Sequence, residues 1–129
     1  MHTFKIFLSI LVYSCIILGA VNSIGVNYFL DFPSAIFVLG IATSSMICNL
    51  GAGSEAVLAF SKGAVLGGWI GALIGLITVM TYSSFDQMPS PLSWIDNGPA
   101  LAAVITIILY GYIVKGLCFI IISGLRRYN

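Results

Sequence analysis

Four stretches of this 129-residue chain contain no Asp, Glu, Lys, Arg or His: Phe7 to Leu30, Phe32 to Ser54, Gly63 to Phe85 and Asn97 to Val114. Crossing a hydrocarbon layer roughly 30 Å thick takes about 20 residues of helix at 1.5 Å each. Each stretch is long enough to cross once, the fourth by running on past Lys115. The expected fold is therefore all-α: one transmembrane domain over residues 1–129, with four spans at 6–28, 33–51, 63–83 and 98–122. Composition agrees, with 60% of residues hydrophobic and 7% charged, against about 25% charged in a soluble domain.

Charge placement sets the expected topology. Lys5 precedes the first span, Lys62 falls in the link between the second and third, and Arg126 and Arg127 follow the fourth. The other two links carry Asp31, Asp86 and Asp96 without Lys or Arg. The excess of Lys and Arg on cytoplasmic loops then puts both termini and the middle link in the cytoplasm. The expected setting, which charge placement does not itself give, is a bacterial inner membrane crossed several times. A second reading of the first span stays open. Lys5, an apolar run and small residues near Gly19 to Ser23 also resemble a secretory signal peptide, although no Ala-x-Ala site follows.

Several chemistries are not expected. No basic patch is present to neutralise phosphates, so nucleic acid is excluded as a partner. The cysteines Cys15, Cys48 and Cys118 all lie in apolar spans and read as small packing residues. No His, Cys, Asp or Glu cluster offers a metal site, and no nucleophile–base pair or phosphate loop can be built, so neither cofactor nor catalysis is expected. The acids all sit at span edges. An intramembrane carboxylate is the usual carrier for protons or sodium, so if ions move, another polypeptide must bring the titrating group.

The third span has the clearest pattern: Gly63, Gly67, Gly71 and Gly75, each four apart, widened by Ala64, Gly68 and Ala72. In lipid, small residues that permit close backbone contact are how helices associate. The stripe either packs within the chain against span two or four, or faces a partner helix or a pore. Lys115 is the one charge inside a span, at about 2.5–3.5 kcal/mol if held at mid-bilayer. It stands about 16 Å of helix before Arg126 and either snorkels toward the cytoplasmic headgroups or pairs with a partner's acid. Thr78, Thr81 and Thr106 can each bond their own helix backbone. Ser54 could cap a brief interfacial helix in the middle link. In the last link Pro89 and Pro91 break helix, while Tyr82, Phe85 and Trp94 suit the headgroup level. Asn97 or Asp96 is placed to cap span four, with Pro99 in its first turn.

Two stretches resemble the MotA family of flagellar stator subunits. Asp31 to Gly40 looks like that family's second-span signature, an acid, then Pro-Ser, then an apolar run ending Val-x-Gly. Gly67 to Leu76, followed by Gly98-Pro99 and the Tyr110-Gly111 pair, looks like its third and fourth spans. The related TolQ and ExbB proteins share spans three and four but are less similar in span two. The resemblance implies a homo-oligomeric ring, a pentamer, around a MotB-like single-span partner whose Asp binds the ion. It also implies that Gly67, Gly71, Ala72 and Gly75 form a close-approach wall, with Thr106, Ile108 and Tyr110 opposite and Lys115 tuning the potential near the cytoplasmic exit. The family's large cytoplasmic domain is reduced here to Gly51 to Lys62, so coupling to a flagellar rotor is not expected. Ala72 aligns with the residue of proton-type members, and Ile108 stands at the fourth-span hydroxyl position. The family's third- and fourth-span prolines are replaced by Val65 and Ile121. The leading expectation is a proton-conducting ring subunit; the alternatives are a non-conducting scaffold of an envelope complex and a small holin-like or efflux protein.

Overall fold

The computed structural model describes residues 2–24, 30–51, 53–84 and 98–125. Among these residues it contains four helices and no strand: α1 (His2–Ile24), α2 (Phe32–Ile47), α3 (Ser54–Ser84) and α4 (Gly98–Leu125). α1, α3 and α4 are long and apolar enough to cross a membrane, as judged by length and composition. This is an all-α, multi-pass membrane protein. Phe85, Asp86, Pro89, Pro91, Trp94, Asp96, Asn97, Arg126 and Arg127 lie outside the described residues, as does the side chain of Tyr82. The expectations placed on them concern that part of the chain.

The helices depart from the expected spans at the middle link. α2 has 16 residues, about 24 Å at 1.5 Å per residue, and gives way to turns over residues 48–51. Gly51 (φ 93°) and Gly53 (φ 55°) have the only positive φ values among the described residues. A side chain at either would strain the backbone, so glycine is what lets the chain reverse here. The brief capped helix expected at Ser54 is instead the start of a continuous 31-residue helix. Glu55 sits in its first turn, where a negative charge complements the positive end of the helix dipole. Ala, Leu and Lys then continue the helix without a breaker. Lys62 therefore lies on α3 and not in a link. At the other membrane face Pro99 falls in the first turn of α4, as its missing N–H allows.

Packing is uneven. α3 lies between α2 and α4 and contacts both along its length, while α1 touches α4 more sparsely. The core is Val38 and Ala42 from α2, Ala64 and Ala72 from α3, and Ile107 from α4. These are mostly small, which is how three backbones draw close without a large apolar residue between them. Around them pack Phe60, Val104, Ile108, Tyr110 and Val114. By contrast no residue of the apolar stretch Phe4–Asn22 of α1 is buried. α1 is tied to α4 by Tyr13, whose hydroxyl donates to the Ile113 carbonyl at 3.2 Å, and by Ile6 beside Gly124. Cys118 packs inside as expected for a small residue, but Cys15 and Cys48 are exposed and fill no core.

Candidate functional site

The glycine stripe of α3 faces the chain's own helices. A Cβ on Gly67 would lie 3.2 Å from Ile41 Cβ and 3.3 Å from Val38 Cα, both on α2. One on Gly63 would come 2.9 Å from Ala42 Cα. Gly75 and Gly68 turn instead toward α4, with Cβ positions 2.9 Å from Val104 Cγ2 and 3.3 Å from Ile108 Cα. Gly71 lies between the two neighbours, against Ile107 of α4 and Phe37 of α2. Ala72 is buried beside them. The two walls expected to face a partner, Gly67, Gly71, Ala72 and Gly75 on one side and Thr106, Ile108 and Tyr110 on the other, thus belong to one closed intramolecular seam. Of the two readings of the stripe, packing within the chain is the one this geometry matches.

The closest approach to backbone in the seam is on the other helix. A Cβ on Gly111 would sit 2.7 Å from the Ala64 carbonyl oxygen and 3.3 Å from Val65 Cα. In the sequence Gly111 stands out only as half of the Tyr-Gly pair. Its partner is a backbone carbonyl, which no side-chain pattern announces. The residues standing where the related family has prolines, Val65 and Ile121, are both ordinary helical positions here.

The threonines behave as helix-bonding groups. Thr106 is 5% exposed and its hydroxyl donates to the Ala102 carbonyl at 2.9 Å. Thr78 and Thr81 bond to Ile74 and Ile77 in the same way. The only bond the geometry gives to the Thr106 hydroxyl is thus within its own helix. Thr106→Val, which keeps the shape, is expected to change thermal stability by no more than about 1 kcal/mol; unfolding of the purified protein measures it.

Lys115 is exposed on α4. Its Nζ lies 5.8 Å from the centroid of the Tyr112 ring, three residues toward the Gly98 end and away from Arg126. Within the chain, Tyr112 is the group this cation approaches. The cation rests on an aromatic face, an attraction that strengthens when both groups leave water. Because Gly111 opposes Ala64 and Val65, Lys115, one turn further on, is level with the turn of α3 that carries Lys62.

Comparison with known proteins finds no match. No family model, no curated protein and no solved structure matches the chain. The chemistry of the site must be read from the chain's own geometry.

That geometry moves one residue into view. Asp31 is expected at the outer edge of span two, but its backbone N–H donates to the Tyr110 hydroxyl at 3.0 Å. Tyr110 stands near the middle of the apolar stretch Gly98–Gly124. The amide of Asp31 is therefore within one tyrosine side chain of the centre of α4. The Asp31 carboxylate caps α2, accepting from the Ser34 N–H at 3.4 Å and from the Ser34 hydroxyl. Sequence order places an acid at the end of an uncharged run. It does not show that the start of this run meets a side chain from the middle of α4. The Asp-x-x-Ser spacing, a standard helix start, was the available signal.

Proposed function

We propose that the chain is a MotA-like ring subunit of a proton-driven membrane motor or channel. It would work with a MotB-like single-span partner that supplies an ion-binding Asp. In this reading the chain crosses a bacterial inner membrane four times with both termini in the cytoplasm, α2 supplying about 24 Å of the second crossing. It carries out no catalysis and holds no cofactor. Beyond the resemblance of Asp31 to Gly40, Gly67 to Leu76 and Tyr110-Gly111 to the family's spans, one structural observation carries the reading. α2, α3 and α4 lock into one tight unit, while α1 and the α4 face of Ile105 (67% exposed) and Phe119 (70% exposed) are left uncovered within the chain. A ring needs subunits that are rigid within and apolar between. The partner helix lies on that α4 face, and the seam of Gly68, Gly71 and Gly75 against Ile108, Ile107 and Val104 braces it from behind.

The closed seam itself favours a second reading, a non-conducting scaffold, because it leaves no gap between α3 and α4 within one chain. Purification from native membranes in mild detergent is expected to yield a multimer of this chain. With it should come a single-span protein bearing an Asp in its apolar segment. Vesicles holding both should conduct protons, and vesicles holding this chain alone should not. Both proteins together without flux would select the scaffold. A lone monomer would end both readings.

A further inference from the structure

We propose that the furrow between α1 and α4 is a seat for an anionic phospholipid, with Lys5, Ser9 and Ser123 holding the headgroup phosphate. The two helices run antiparallel and touch at two places. Ile6 packs on Gly124 at one, and the Tyr13 ring packs on Gly116 at the other, its hydroxyl bonded to the Ile113 carbonyl. Along α1 these contacts are about 10 Å apart. At the Ile6–Gly124 end the helices leave a groove of about 340 Å³ between them. Lys5 and Ser9 line it from α1, and Phe119, Ile120 and Ser123 line it from α4. The seat does not depend on the ring reading, with which it shares only Phe119.

The lining combines two chemistries. Lys5 and Ser9 are four residues apart and so share one face of α1, while Ser123 stands one turn beyond Phe119 on α4. Together they offer an ammonium and two hydroxyls, all donors to a phosphate. The chain itself does not use them. Among the described residues Lys5 has no ion pair and neither serine hydroxyl has a hydrogen-bond partner, whereas Thr78, Thr81 and Thr106 each bond their own helix. Neither α1 nor α4 contains an Asp or Glu, so no carboxylate on either helix can neutralise Lys5. The rest of the lining is apolar: Ile6, Ile120 and Phe119, the last 70% exposed. A free phosphate would leave that side wet, while a phospholipid also covers it with hydrocarbon. The tail can run on along α1, where no residue of Phe4–Asn22 is buried. Basic pockets between membrane helices take anionic headgroups in this way.

The test uses the full chain in detergent, without any partner, titrated with phosphatidylglycerol or phosphatidylcholine and followed by native mass spectrometry. The first phosphatidylglycerol is expected to bind about fivefold tighter than phosphatidylcholine, the contribution of about one basic residue. Lys5→Gln should remove that preference. So should Ser123→Leu, which fills the groove without changing charge, and Ser9→Leu repeats the test from the other wall. Circular dichroism checks that each variant keeps its helices. Lys115→Gln, which removes a positive charge outside the groove, should keep the preference. Equal binding of the two lipids by the wild type would overturn the proposal and leave the groove to acyl chains or to another helix. A preference that survives both leucine variants, or falls equally in Lys115→Gln, would overturn it in favour of diffuse charge attraction. Displacement of the bound lipid by excess inorganic phosphate would overturn the lipid assignment in favour of a soluble anion. None of these outcomes depends on ring formation or flux, so the ring reading can fail while this one holds.

Discussion

Gly111→Leu should break the α3–α4 pair and leave a protein that does not fold into its bundle. The reason is the identity of the opposing atoms. A Cβ at this position would meet the Ala64 carbonyl oxygen at 2.7 Å and Val65 Cα at 3.3 Å, and backbone cannot rotate out of the way as a side chain can. Even Gly111→Ala is expected to cost about 1–3 kcal/mol as an overpacked contact, and leucine extends the clash through the seam. Gly40 supplies the contrast, because a Cβ there has nothing within 4 Å. Gly40→Ala should be neutral, or stabilising by up to about 1 kcal/mol from helix propensity. Unfolding followed by circular dichroism in detergent ranks all three. Equal stability of Gly111→Leu and wild type would show that the two helices do not approach as described.

Gly116→Ile should release α1 while sparing the other three helices. The Cβ of Gly116 would meet the Tyr13 ring, 2.7 Å from Cζ and 3.0 Å from Cε2. That ring also holds the Tyr13 bond to Ile113. Since α1 has little else to hold it to the bundle, losing this contact should let it move in the bilayer. Spin labels on Cys15 and on a cysteine at Phe119, with Cys48 and Cys118 replaced, should report a broadened and lengthened distance distribution. The unfolding midpoint of α2–α4 should stay within about 1 kcal/mol of wild type, as for a distant, independent site. An unchanged distance would mean that α1 is anchored by more than Tyr13 and Ile6. Gly71 offers no comparable test of partner binding, because a bulky residue there collides first with Ile107 and Phe37 of the same chain. The exposed Phe119 is the better position for probing an external helix.

The broad plan was readable from residues alone. Uncharged runs correspond to helices, Pro99 marks the first turn of α4, and small residues four apart correspond to close helix contact. What was not readable has a common cause. Hydropathy measures how long an apolar run is, not where a helix starts within it or how high it sits beside its neighbours. Hence the nine residues from Ser54 to Lys62 were expected as a link, although they contain no helix breaker and continue α3. Asp31 does stand at the start of α2, as expected, but its contact with Tyr110 was not readable. A stripe of glycines names a smooth face but not its occupant. Here that is decided by Val38, Ala42 and Val104, three unremarkable residues on other helices.

The length of α3 has a mechanical corollary. Thirty-one helical residues make a rod about 46 Å long, against roughly 30 Å of hydrocarbon. Tilts of transmembrane helices reach about 40°, and even at that lean the rod is too tall to be submerged. The Ser54–Ser61 turns are continuous with the glycine-bearing segment, with no break in the helix between them. A push on either end of the rod would turn the rest of it, so whatever part of α3 stands outside the hydrocarbon is a lever on the packed centre of the chain.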